Sequence, residues 1–160
     1  MKNELLEILA QNCRITNAQI AVMLGIEEED VADMIKEMEE KNIILGYPAL
    51  IDWEKTEEET VTAYIEVRVT PQRGRGFDKV AERIYQYPQV THLSLMSGDY
   101  DLFVTVEGKS MKEVALFVAE KLAPIESVLS TSTHFVLKKY KEKGVVFEQK
   151  YKDNREAVVL

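Results

Sequence analysis

Apolar residues in the first forty positions recur at helical spacing, and beyond residue 60 the period drops to two. Leu5, Leu6, Ile8 and Leu9 mark one face of a first helix over Asn3 to Gln11. Thr16 and Gln19 have the spacing of a capping box, in which each side chain satisfies a backbone N–H of the other residue. The short helix they open carries Ala18, Ile20, Ala21, Met23 and Leu24, and it stops at Gly25, a residue suited to a left-handed C-terminal position. A third helix from about Glu27 to Lys41 has Val31, Met34, Ile35 and Met38 at i, i+3, i+4 and i+7, the stripe of a helix packed on its neighbours. Three short helices with a glycine turn between the second and third make a winged-helix-like helix-turn-helix over residues 1–46.

Ile43 to Trp53 reads as extended, with Pro48 marking an edge strand or irregular connector. The acidic stretch Glu54 to Glu59 follows, so residues 47–59 are taken as strand and linker. Val61, Ala63, Ile65, Val67 and Val69 then alternate with polar residues as a half-buried strand. After the loop Pro71–Gly76, the residues Phe77, Val80, Ala81 and Ile84 predict a helix ending near Tyr87–Pro88. Two strands follow, at about Val90–Ser97 and Tyr100–Glu107, joined by Gly98–Asp99 as a hairpin turn. Ser110 and Glu113 form a second capping box ahead of a helix with Val114, Phe117, Val118 and Leu122, and a last strand runs from about Val128 to Leu137. The order β-α-β-β-α-β over residues 60–140 predicts a ferredoxin-like α+β unit of four antiparallel strands with both helices on one face. A small sheet with one bare face gains by packing against another copy, so a homodimer through the sheet is expected.

Composition narrows the class without naming a chemistry. The apolar fraction of 46% is ordinary for a globular protein. No apolar run is long enough to span a membrane, and no secretory signal pattern opens the chain. The single cysteine, Cys13, permits no internal disulfide, so a cytoplasmic protein is expected. The net charge of −8 is uneven: residues 1–52 hold four Lys/Arg against eleven Asp/Glu, whereas residues 138–160 hold seven against four. Residues 141–160 are read as a C-terminal basic tail.

Four stretches together resemble the Lrp/AsnC, or feast/famine, family of transcription regulators. Arg14-Ile-Thr-Asn-Ala-Gln-Ile-Ala-Val-Met-Leu-Gly-Ile26 looks like the family's second helix and turn, and Gly46-Tyr-Pro-Ala-Leu-Ile-Asp52 like the strand leaving the DNA-binding part. Ser97-Gly-Asp-Tyr-Asp101 looks like the Gly-Asp-Tyr-Asp hairpin of the family's amino-acid-binding (RAM-type) domain, and Thr131-Ser-Thr133 fits that domain's last strand. The resemblance covers about residues 3–140. It implies a cytoplasmic DNA-binding dimer that forms tetramers or octamers, with an amino acid or related effector bound between regulatory domains.

On that resemblance the effector residues are Gly98, Asp99, Tyr100, Asp101, Thr131 and Thr133. Asp99 and Asp101 would face the ligand's ammonium, Gly98 would let the backbone come close, and the two threonines would share one strand face. Gly-Asp is equally a turn former whose aspartate bonds backbone. The DNA-contacting positions are Arg14, Asn17 and Gln19 with Glu28, Glu29, Asp33 and Lys36 on the third helix. That helix departs from the family pattern of small polar residues and arginines: from Glu27 to Lys41 it holds eight acids against two lysines, and Met34 stands where arginine is usual. DNA affinity comes largely from phosphate neutralisation, so a second reading has the acidic helix-turn-helix contacting a protein. The basic tail, with Lys138, Lys139, Lys141 and Lys143, would either supply phosphate contacts or neutralise acidic helices of a neighbouring subunit. Arg73 and Arg75, ahead of a helix, could hold an anion, but a solvated connector is the alternative. No catalytic constellation, metal-ligand spacing or cofactor motif is found. Siroheme decarboxylases resemble this layout too, and His92, His134 and Arg68 are the loose candidates for that third reading.

Overall fold

The computed structural model describes residues 1–70 and 76–147. The chain divides into two compact units, Met1–Ile51 and Asp52–Leu160. The first holds helices α1 (Lys2–Gln11), α2 (Asn17–Leu24) and α3 (Glu28–Glu40). Both local signals around α2 are present. Thr16 caps the helix reciprocally with Gln19, and Gly25 adopts φ 68°, a left-handed conformation that ends the helix without a Cβ clash. Leu5, Ile20, Ala21, Val31 and Met38 make the core of this unit.

The stretch expected to be extended from Ile43 to Trp53 forms no strand. Its residues up to Asp52 have no assigned element, and Trp53–Lys55 is a single 3₁₀ turn. Pro48 offers no N–H to a ladder, and no strand among the described residues pairs with the segment. Ile44 packs on the core of the first unit, but most of the other apolar side chains stand in solvent, Leu45 at 87% exposure and Leu50, Ile51 and Trp53 also exposed.

The second unit is a four-stranded antiparallel sheet built from β1 (Val61–Val69), β2 (Val90–Leu95), β3 (Leu102–Gly108) and β4 (Val128–Phe135), in the order β2-β3-β1-β4. Helices α4 (Gly76–Ile84) and α5 (Met111–Phe117) cover one face, and α5 continues as a π-helical turn through Val118–Leu122. The alternation read in β1 holds: Ala63, Ile65, Val67 and Val69 are buried with Leu102, Val104 and Val106 of β3 beneath Val80, Ile84, Val114, Phe117 and Leu122. In the π turn the Ala123 N–H donates to the Val118 carbonyl at 2.8 Å, an i→i+5 bond. Ser110 accepts from the Glu113 N–H as the sequence predicts, but the Glu113 carboxylate receives the Lys109 N–H rather than that of Ser110.

No helix among the described residues covers the other face. Register places Thr62, Tyr64, Glu66 and Arg68 of β1 there with Phe103, Thr105 and Glu107 of β3, His92 and Ser94 of β2, and Ser130, Ser132 and His134 of β4. This surface is aromatic and polar rather than aliphatic. Beyond β4, what the sequence offers as a tail begins with a hairpin, β5 (Lys141–Glu142) and β6 (Val145–Val146), separate from the main sheet.

Candidate functional site

In the first unit the capping box that starts α2 also constrains a candidate contact. Gln19 Oε1 accepts the Thr16 N–H at 3.1 Å, which fixes the side chain and leaves its amide N–H groups without a partner among the described residues. The Arg14 backbone N–H donates to Asn12 Oδ1 at 3.0 Å, which fixes the turn ahead of α2 while its guanidinium stays in solvent. Asn17 is half-buried at the start of the helix. Sequence reasoning missed an apolar surface beside them: Val22 and Met23 are exposed on α2, next to a groove lined with Ile15 and Ala18. The signal for it was present, because a helix of eight residues with an almost wholly apolar sequence cannot bury every face.

Helix α3 buries Val31 and Met38. The opposite stripe, at i, i+4, i+7 and i+11, is Glu29, Asp33, Lys36 and Glu40, all exposed. Glu28 lies in the exposed first turn, where carboxylates suit the helix dipole. Glu37 turns away from this stripe to two lysines: Lys2 Nζ lies 2.7 Å from its Oε2, and Lys41 bonds its Oε1. Hydrogen bonds from Lys2 and then Lys41 pull its carboxyl down to about 2, so it stays ionised and engages two of the few cations in this unit. Only Lys36 is left as a cation on α3 itself.

The C-terminal unit corrects the expected hairpin. β2 ends at Leu95 and β3 starts at Leu102, so Gly98–Asp99 is not a two-residue turn. The Met96 N–H donates to the Asp101 carbonyl at 2.7 Å, which leaves Ser97–Tyr100 as the bend, with Gly98 at φ 130°. Asp101 explains the width. Its N–H donates to the Val67 carbonyl at 3.0 Å, and its Oδ2 accepts the Val69 N–H at 2.7 Å. Both bonds tie the start of β3 to β1. The carboxylate expected near a ligand's ammonium is therefore held on backbone by one oxygen. Replacing Asp101 with alanine is expected to cost about 1.5–3 kcal/mol, the range for a hydrogen bond to a charged group. Asn, which keeps a carbonyl acceptor, is expected to cost less, and urea titration of the two variants checks the order.

Asp99 is exposed and makes no side-chain bond among the described residues. Tyr100 belongs to the aromatic group on the open sheet face: its ring centroid lies 6.5 Å from that of Phe103, which also has Tyr64 at 5.3 Å and His92 at 6.0 Å. Thr131 and Thr133 do share a face, as their spacing requires, opposite Val67 and Ile65. That is the helix-covered face, and both residues are half-buried on the edge strand. Thr131 and Leu102 flank Val67 in one row, so the Ser97–Asp101 bend and Thr131 meet the same end of the sheet. Two strand spacings, about 10 Å, separate them.

The two histidines do not converge. His92, Thr105, Tyr64 and His134 form one row across the open face, which puts the histidines on opposite edge strands about 14 Å apart. Each bonds a serine two residues away, His92 to Ser94 at 2.8 Å and His134 to Ser132 at 3.3 Å. Arg68 lies on the same face, opposite Ser130. No group of three or more metal-ligating side chains occurs among the described residues. Arg73 and Arg75 lie outside the described residues.

Comparison with known proteins joins the two units. Residues 62–146 match the Lrp/AsnC ligand binding domain, and residues 2–44 match the winged helix-turn-helix DNA-binding family. The chain is 50% identical over 155 residues to the uncharacterized HTH-type transcriptional regulator YugG of Bacillus subtilis, covering 96% of this chain and 93% of that one. In fold it is similar to a transcriptional regulator of Neisseria meningitidis solved with L-methionine, at 22% identity and a TM-score of 0.72 over 88% of this chain and 90% of that one. It is likewise similar to a feast or famine regulatory protein of M. tuberculosis complexed with L-methionine, at 18% identity and a TM-score of 0.71 over 86% and 90%. With its helix-turn-helix, its ligand-binding sheet and a relative matched almost end to end, the chain belongs to the Lrp/AsnC family of transcriptional regulators.

Proposed function

We propose that this regulator acts on DNA in the cytoplasm as a homodimer or larger assembly, is not an enzyme, and answers to an amino acid or related metabolite held by its C-terminal unit. The observation that carries the reading is the joining, in one chain, of a capped helix-turn-helix to a sheet whose bend holds, beside Gly98, an exposed Asp99 carboxylate that is unbonded among the described residues. Asp99 would meet the effector's ammonium and Thr131 and Thr133 would add hydroxyls. Tyr100 would line the site, and Asp101 would position it by fixing the bend. Since β1 lies between the bend and Thr131 within one sheet, an effector touching both needs a second copy. The helix-free face, with Tyr64, Phe103 and His92, is the surface for the dimer. Two relatives in fold hold L-methionine, which makes it the first effector to try.

Thermal shift of the full chain against each of the twenty amino acids tests the effector. A ligand at a hundred times its Kd stabilises the folded state by about 2.7 kcal/mol, a shift of several degrees. Failure of all twenty to move Tm would end the amino-acid reading and leave a related metabolite as the effector to seek. The acidic stripe of α3 favours one rival, in which the helix-turn-helix grips a protein partner. A mobility shift on the protein's own promoter region, titrated with salt, separates them: sequence preference that survives moderate salt supports the DNA reading.

A further inference from the structure

The sequence presents residues after 140 as a tail, yet the structure turns their beginning into a ribbon. Lys141–Glu142 pairs antiparallel with Val145–Val146, and the Phe147 N–H adds a bond to the Tyr140 carbonyl at 3.0 Å. Lys143 and Gly144 make the turn at φ 45° and 84°, both left-handed, the pattern of a tight two-residue hairpin. This hairpin pairs with no strand of the main sheet. A two-stranded ribbon is marginal in water by itself, and its residues Tyr140, Val145 and Val146 are exposed.

Its charge is the reverse of the rest of the chain. Residues 138–147 hold four lysines and one glutamate, in a protein of net charge −8. Lys139 is paired with Glu142 at 3.3 Å, and the Lys138 ammonium sits 5.1 Å from the centre of the Tyr140 ring. Lys141 and Lys143 are exposed and have no ion-pair partner among the described residues. By contrast, α3 turns Glu29, Asp33 and Glu40 outward with only Lys36 among them. Such a surface cannot release the counterions on which duplex affinity depends.

We propose that the β5–β6 hairpin is a second DNA-contacting surface, on which Lys141 and Lys143 neutralise backbone phosphates that the helix-turn-helix does not. A two-stranded ribbon is narrow enough to enter or straddle the major groove, which is about 12 Å wide. Contacts of this kind position the protein and carry no sequence information. This inference rests on the DNA reading above.

The test is fluorescence anisotropy of the full chain on a labelled duplex from its own promoter region, over a series of salt concentrations. Lys141→Gln with Lys143→Asn removes both charges, and asparagine tolerates the left-handed turn. Each phosphate contact contributes about 0.9 to the slope of log K against log salt. For each hairpin that meets the duplex, the double variant is therefore expected to lose about 1.8 of slope, with at least a tenfold loss of affinity at low salt. Lys141→Arg with Lys143→Arg is expected to keep both. Lys109→Gln with Lys112→Gln, which changes net charge equally elsewhere in the unit, is expected to change little. A wild-type chain that binds while the hairpin variant keeps the same slope overturns the proposal, as does an equal loss in the Lys109/Lys112 variant. A change of sedimenting size with an unaltered slope assigns the hairpin to subunit contacts and overturns it too. Absence of duplex binding by the wild-type chain defeats the DNA reading itself, a result distinct from the others.

Discussion

Ile65→Ala is expected to destabilise the C-terminal unit by about 2–5 kcal/mol. Ile65 is fully buried at the centre of β1, between Val104 of β3 and Thr133 of β4, and the helices close the layer above it. Neighbours held by ladder bonds on both sides cannot slide inward to fill the space left by the lost methyls, so the cavity penalty adds to the transfer penalty. A domain of this size has a total stability of about 5–15 kcal/mol, so the loss is a large share of it. Leu129→Ala is the control. Leu129 is 68% exposed on the edge strand, and its truncation is expected to stay within about 0.5 kcal/mol. Urea titrations followed by circular dichroism check the pair, and similar midpoints for the two variants would contradict the packing described here.

The second large effect concerns the outward stripe of α3. Glu29→Gln with Asp33→Gln is expected to strengthen duplex binding by roughly thirtyfold at low salt, a change that fades as salt rises. Two unit charges about 4 Å apart interact by about 1 kcal/mol in a water-like medium. Removing two carboxylates that oppose phosphates is therefore worth roughly 2 kcal/mol, and each 1.4 kcal/mol is tenfold. Both residues are exposed, and neither is bonded among the described residues, so the fold should not respond. Anisotropy on promoter duplex at two salt concentrations measures the effect. Unchanged affinity would mean that α3 does not face DNA, and would favour the protein-partner reading.

What the sequence disclosed depended on how local the cause was. Thr16, Gln19 and Gly25 act within one helical turn, and the period-two run from Val61 to Val69 follows from alternate side chains pointing to opposite faces, so both were legible. The Ser97–Asp101 bend was not. Its width is set by Asp101 reaching the backbone of β1, a partner 32 residues away, and Gly-Asp by itself suggests a tighter turn. Ile43–Asp52 has the composition of a strand, but a strand needs a ladder, and the described residues supply none. The open sheet face was foreseen as bare; its aromatic row and its separated histidines required the register of four strands. The spacing of Thr131 and Thr133 puts both on one face, but which face depends on their alignment with Val67 and Ile65. The hairpin at 140–147 left a faint mark in Lys143-Gly144 between short alternating runs, hidden among lysines.

The i→i+5 turn at the end of α5 limits how this chain can change length. An ordinary helix advances about 100° per residue, so Leu122 would drift sideways from the line of Val114 and Phe117. The wider winding through Val118–Leu122 returns it to the sheet, where it is fully buried. Losing one residue there would tighten the coil and rotate everything downstream. An insertion or deletion at this spot is therefore a packing event, whereas one in a surface connector is absorbed by slack.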